Sequence, residues 1–178
     1  FIDTVKSSLN PGYIPQLSLL QANPSTVSTI TIGGNDIGFG NIVTSCVTSA
    51  MCYSAQSERK MVAATIDQRI PELVQTFRAI KENLSGAEPR LYVIGYPRMF
   101  NQDSVCNGFM NGPEREFANN LVDYLNAALM IAAGQAGVTY IDVSDAFLDY
   151  QTEQDYRLCG NAPQAVNGLI VDVKNASD

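Results

Sequence analysis

The chain has 178 residues, is 46% hydrophobic and carries a net charge of −7 with no histidine. That length and apolar content suit one globular domain with a core of its own and exclude a disordered polypeptide. The acidic balance argues against a nucleic-acid footprint or charge-driven binding to anionic membranes, and no apolar run reaches the ~18 residues of a membrane span.

In chain order, Tyr13 to Ala22 reads as a short helix closed by Asn23-Pro24. Residues 27–33 read as a strand, because Val27, Ile30 and Ile32 stand among threonines. Residues 38–56 read as loop with a turn of helix. From Glu58 to Leu84, Ile66, Ile70, Leu73, Phe77, Ile80 and Leu84 recur at helical spacing. Pro71 within that run predicts a kink, or two abutting helices, and Asn83 to Gly86 supplies the stop. Arg90 to Tyr96 reads as a short buried strand of a parallel sheet. A polar loop runs on through Asn111. Pro113 opens the next helix, with Phe117, Leu121, Tyr124, Leu125, Ala128 and Ile131 along one face and Gly134 and Gly137 closing it. Val138 to Val143 is a third strand. The remainder is irregular, with a helical turn near Asp145 to Tyr150. Strand alternating with helix is the signature of a parallel sheet covered by helices, an α/β chain of three-layer α/β/α type. No repeat, linker or low-complexity tract divides residues 1–178.

The chemistry concentrates in Thr29-Ile30-Thr31-Ile32-Gly33-Gly34-Asn35-Asp36-Ile37-Gly38-Phe39-Gly40. A strand runs into two glycines, which permit a sharp turn and close approach of a ligand. Asn35 follows at the carboxyl end of the strand, where open α/β sheets bind ligands. Its amide is a neutral donor suited to a developing oxyanion. Gly-Gly-Asn-Asp is also ordinary turn chemistry. Asp36 reads as a loop-fixing carboxylate that accepts backbone N–H groups. Ile37 and Phe39 are candidates to line an acyl pocket or to pack the core. Tyr96 and Arg98 lie at the end of the second strand, Arg98 facing an anionic group or solvent. Asp142 and Asp145 read as a strand end and a turn cap rather than a metal pair.

Four cysteines allow three pairings, or buried thiols. Zinc is disfavoured, since there is neither a Cys-x-x-Cys pair nor a histidine. Disulfides would place the chain in an oxidising compartment. A nucleotide or flavin site has no support. Gly33, Gly34, Gly38 and Gly40 do not fit Gly-x-Gly-x-x-Gly, and Gly-Lys-Ser/Thr is absent.

The string through Gly-Gly-Asn-Asp closely resembles the Gly-x-Asn-Asp block of the SGNH, or GDSL-type, hydrolases. The tail from Leu158-Cys159-Gly160 to Asn167-Gly168-Leu169 resembles the stretch preceding the Asp-x-x-His block of secreted members. The resemblance implies a flavodoxin-like five-stranded sheet and a secreted lipase, esterase or phospholipase that needs no cofactor and no metal. It implies Asn35 as an oxyanion-hole donor, with Gly34, Ile37 and Phe39 against the substrate, and disulfides Cys46–Cys52 and Cys106–Cys159. Neither a Gly-Asp-Ser nor an Asp-x-x-His block occurs here. Residues 1–178 are therefore expected to be the middle of a single domain. The nucleophile and histidine would lie outside it, and the missing remainder would be a partner of this piece. A binding module on the same fold, with the catalytic blocks lost, is the competing expectation.

Overall fold

The computed structural model describes residues 16–22, 26–48, 52–85, 90–103 and 110–165. The expected helix start at Tyr13, the Asn23-Pro24 stop, Gly86, Cys106 and the tail Asn167 to Leu169 lie outside these residues.

The described elements are α1 (Gln16–Ala22), β1 (Val27–Ile30), α2 (Phe39–Thr48), α3 (Gln56–Glu82), β2 (Arg90–Ile94), α4 (Gly112–Ala136), β3 (Thr139–Ile141), β4 (Leu148–Asp149) and β5 (Gln154–Asp155). The first three strands form one sheet in the order β1-β2-β3, with both pairings parallel. Val27 sits opposite Arg90 and Tyr92 opposite Thr139. Each crossover passes through a long helix and advances the sheet in the same direction. The right-handed crossover rule then puts α3 and α4 on one face, and these two helices pack against each other more extensively than any other pair. This is the α/β class expected from the alternation, a parallel sheet with helix layers of three-layer α/β/α type.

Alternation along β2 sorts its side chains. Leu91 and Val93 are buried toward the helices, whereas Tyr92 and Ile94 on the opposite face are half-buried. Ile66, Phe77, Val93, Leu129 and Ala132 are at the centre of the core. A satellite cluster of Val43, Cys46, Phe100, Met110 and Ala118 joins α2 to the start of α4.

Several expectations change. The strands are shorter than expected; after β1 ends at Ile30, Gly33 turns the chain at φ +106, a conformation L side chains rarely adopt. Residues 39–48 form a ten-residue helix rather than a loop. Its intrinsic propensity is poor, and burial of Ile42, Val43 and Cys46 on one face stabilises it. α3 runs continuously through Pro71 instead of splitting into two helices. In α4, Tyr124 and Ile131 are exposed. Of the expected face, Leu121, Leu125 and Ala128 are buried, joined by Ala118, Val122, Leu129 and Ala133. The turn expected near 145–150 is present at residues 144–147 and leads into the antiparallel β4–β5 pair.

The helix ends follow the expected chemistry. Asn111 accepts the Glu114 N–H while Glu114 reaches back to the Asn111 N–H, a complete capping box with Pro113 in the first turn. Gly137 closes α4 at φ +65. Asn119 and Asn126, two turns apart on the buried side of α4, each grip the backbone of the segment that follows β2. The Asn119 Oδ1 accepts the Phe100 N–H at 3.3 Å and its Nδ2 donates to the Phe100 carbonyl at 2.7 Å.

The Asp155 carboxylate organises the last described loop. It accepts from the backbone N–H, Nε and Nη2 of Arg157 at 2.9, 2.9 and 2.7 Å and from Asn101 Nδ2 at 2.6 Å. Leu158 completes the link through hydrogen bonds to Met99 and Asn101. Burial opposes ionisation of Asp155, but the hydrogen bonds from Arg157 and Asn101 outweigh it and hold the pKa below the ordinary value. A depressed folded-state pKa contributes stability above the unfolded pKa of about 3.9, lost as pH falls through the folded value. Asp155→Asn is therefore expected to lower stability at neutral pH and to flatten the acid limb of a melting-temperature profile. An unchanged acid limb would contradict the assignment.

Two glycines make opposite predictions. A Cβ on Gly160 would lie 2.0 Å from the Asp155 carbonyl oxygen, a backbone atom that cannot swing away. Gly160→Ala is expected to cost about 1–3 kcal/mol or more. A Cβ on Gly134, inside α4, meets nothing within 4 Å. Gly134→Ala is expected to stabilise by about 0.5–1 kcal/mol. Thermal melts of both variants check the pair.

Candidate functional site

The site begins where β1 ends. Gly33 reverses the chain, and residues 34–38 form a tight turn. Phe39 N–H donates to the Gly34 carbonyl at 3.0 Å and Gly38 N–H to the Asn35 carbonyl at 3.0 Å. Gly38, at φ +69, then delivers the chain into α2. A Cβ at Gly33 would touch Leu125, so the turn lies directly on α4. Asn35 is exposed at its tip, and no described residue hydrogen-bonds its side-chain amide.

A cavity of about 340 Å³ opens beside this turn, at the carboxyl ends of β1 and β2. Phe39, Pro97, Met99, Val122 and Leu125 give it apolar walls. Gly34, Asn35 and Tyr96 form its polar end. Of the two apolar candidates, Phe39 lines this cavity, whereas Ile37 is 7% exposed and belongs to the core. A second cavity, about 270 Å³ between α3 and α4, shares no lining residue with the first.

Tyr96 ties the polar end together. Its hydroxyl accepts the Gly34 N–H at 3.1 Å. Its backbone is held by Asn126, whose Oδ1 accepts the Tyr96 N–H at 2.8 Å and whose Nδ2 donates to the Tyr96 carbonyl at 2.8 Å. Burial, opposed by the Gly34 hydrogen bond and assisted by the Asp36 charge, raises the Tyr96 pKa above that of an ordinary phenol. The side chain is thus a neutral hydroxyl at physiological pH.

The neighbouring charges are otherwise engaged. Arg98 is partly exposed, and its guanidinium is engaged by two carboxylates. Its Nε donates to Asp123 at 2.8 Å and its Nη1 to Asp145 at 2.8 Å, and Tyr150 donates to the same Asp145 carboxylate. The hydrogen bond that Arg98 donates to Asp123 leads the causes that raise the Arg98 pKa. These partly exposed pairs fix the loop after β3 more than they stabilise the fold. Asp142, not Asp145, takes the turn-capping role: its carboxylate accepts the Ser144 N–H and hydroxyl, which lower its pKa. Asp36 accepts no backbone N–H among the described residues and is exposed. No group of three or more Cys, Asp or Glu residues that could hold a metal occurs among the described residues. No described helix is long and apolar enough to cross a membrane.

Cys46 and Cys52 form a disulfide that clips the end of α2 to the start of the next segment. Beside it, Tyr53 stacks on Phe117 with ring centroids 4.9 Å apart. Cys159 is disulfide-bonded, while Cys106, its expected partner, lies outside the described residues.

Sequence reasoning missed Asn126, Met99, Val122 and Leu125. Asn126 had a signal, an asparagine seven positions after Asn119 and so on the same helix face. The others had none beyond apolarity.

Known proteins resemble this chain in sequence and in fold. Lipase 1 of Streptomyces coelicolor is 32% identical over 159 residues, covering 88% of this chain and 55% of that protein. A lipase of Streptomyces rimosus is 29% identical over 177 residues, covering 97% of this chain and 62% of its own length. The crystal structure of an extracellular lipase from Streptomyces rimosus superposes with a TM-score of 0.65 at 24% identity, over 90% of this chain and 64% of that one. A phospholipase A1 from Streptomyces albidoflavus superposes at 0.62 and 21% identity, over 80% of this chain and 66% of that one. These two structures agree with the fold. The chain spans little more than half the length of the curated relatives it matches. The profile of the GDSL-like Lipase/Acylhydrolase family matches residues 3–161, and the chain belongs to that family.

Proposed function

We propose that the protein containing this chain is an extracellular serine hydrolase of carboxylic esters, of lipase, esterase or phospholipase type. Asn35 donates its side-chain N–H to the carbonyl oxygen as negative charge develops there. Gly34 lets the substrate approach the backbone, and Phe39 meets the acyl group in the apolar cavity. Ile37 serves this turn from the core side. The nucleophilic serine and the histidine base come from sequence outside these 178 residues, which contain no histidine. Serine attacks the ester, histidine moves the proton, and no metal is required.

One observation carries this reading. The Asn35 amide has no hydrogen-bond partner among the described residues, yet it stands at the mouth of an apolar cavity on a turn fixed from two sides. An amide committed to holding its own turn would bond the backbone. An amide left unbonded by its own turn is available to donate to a ligand. The lipase names of the relatives support ester chemistry, and the extracellular neighbour supports secretion. The absence of histidine keeps the non-catalytic module on this fold as the rival.

Turnover of p-nitrophenyl esters separates the two. The full-length protein is expected to hydrolyse short or medium acyl esters, and the 178-residue chain alone is not, for want of an imidazole base. In the full-length protein, Asn35→Ala is expected to lower kcat roughly a hundredfold or more with an unchanged melting temperature. Robust turnover by the chain alone, or a full-length protein with no turnover, would refute the reading.

A further inference from the structure

We infer that Tyr96 is a positioning residue whose hydroxyl sets the conformation of the Gly34–Asn35 turn and thereby aims the Asn35 amide into the cavity. The inference rests on the oxyanion reading of Asn35 for its catalytic consequence, but not for its structural content.

Three observations carry it. First, the Gly34 N–H has its partner in the Tyr96 hydroxyl, 62 residues away in sequence, rather than in the turn itself. The residue immediately before Asn35 is thus anchored from the segment that follows β2. Second, the fit is close. A Cβ on Gly34 would lie 3.2 Å from the Tyr96 Oη and 3.4 Å from its Cζ, so the ring is packed against the turn and limits its movement. Third, Tyr96 is itself immobilised. Asn126 takes both its backbone N–H and its carbonyl, each at 2.8 Å. An anchor held at its backbone by one helix and at its hydroxyl by the turn has little freedom to follow thermal motion of Asn35. A donor must be in place before charge develops if it is to lower the barrier.

The hydroxyl also has an unused proton. It accepts from Gly34, and no described residue accepts from it. Its neutral state at physiological pH keeps that proton available.

The test is Tyr96→Phe in the full-length protein, which removes one oxygen and keeps the ring. The Gly34 amide proton, observed by ¹⁵N-resolved NMR, is expected to move upfield as its acceptor is lost. On p-nitrophenyl esters, kcat is expected to fall about tenfold with KM within about twofold, the scale of one hydrogen bond's net contribution. In an Asn35→Ala background, Tyr96→Phe is expected to change kcat less than about twofold, because the residue it positions is gone. A merely structural role would show the same loss in both backgrounds. An unshifted Gly34 amide overturns the inference whatever the kinetics, as does a Tyr96→Phe loss of equal size in both backgrounds. A shifted amide with Asn35→Ala as active as wild type supports the anchoring of the turn and overturns the oxyanion reading instead.

Discussion

A side-chain amide of one helix grips the backbone of the segment that follows β2, and much of the site depends on it. Beyond β2 the chain leaves the sheet, and its backbone polar groups need partners away from water. Asn126 meets both groups of Tyr96, and Asn119 does the same for Phe100. An asparagine amide can mimic a peptide group, donating and accepting in one plane. The stretch from Tyr96 to Phe100 is thereby laid along α4 in fixed register. Tyr96, Pro97 and Met99 then become cavity wall rather than mobile loop.

The same stretch is held from its other side. Leu158 bonds Met99 and Asn101, and Asp155 gathers Arg157 and Asn101. Arg115, buried in the first turn of α4, spends its guanidinium on the carbonyls of Asn101, Gln102 and Met110. The polar residues of this region therefore work on backbone, shaping loops that contain little regular structure. Buried polar groups used in this way specify one arrangement, because each alternative leaves a donor or acceptor unmatched.

Much of this architecture was legible in the residues. Apolar runs at 27–33, 90–96 and 138–143 marked the strands, and Asn111, Pro113 and Gly137 marked the ends of α4. Gly-Gly-Asn-Asp marked the turn beside the cavity. What escaped notice depended on distant partners. Arg98 looked solvent-bound because Asp123 and Asp145 lie 25 and 47 positions away. α2 looked like loop because glycine, serine and threonine give weak helix propensity, and only the satellite cluster supplies its stabilising burial. The buried face of α4 was read only in part, with Tyr124 and Ile131 misplaced, because apolar residues surround that helix. Periodicity then offers more than one face, and packing against α3 chooses.

The strand register also constrains how such a chain folds. Val27 meets Arg90 only across the whole of α3, and Tyr92 meets Thr139 only across the whole of α4. Neither ladder has a local turn from which to zip. Each must wait for a long loop to close, and closure entropy is lost before any strand contact offsets it. Docking of α3 onto α4, through Ile66, Phe77 and Leu129, shortens both loops at once. The expected order is therefore helix pair first and sheet afterwards. Pulsed hydrogen exchange would record it as early protection of α3 and α4 amides, with β1 and β3 following. Strand amides protected first would exclude that order.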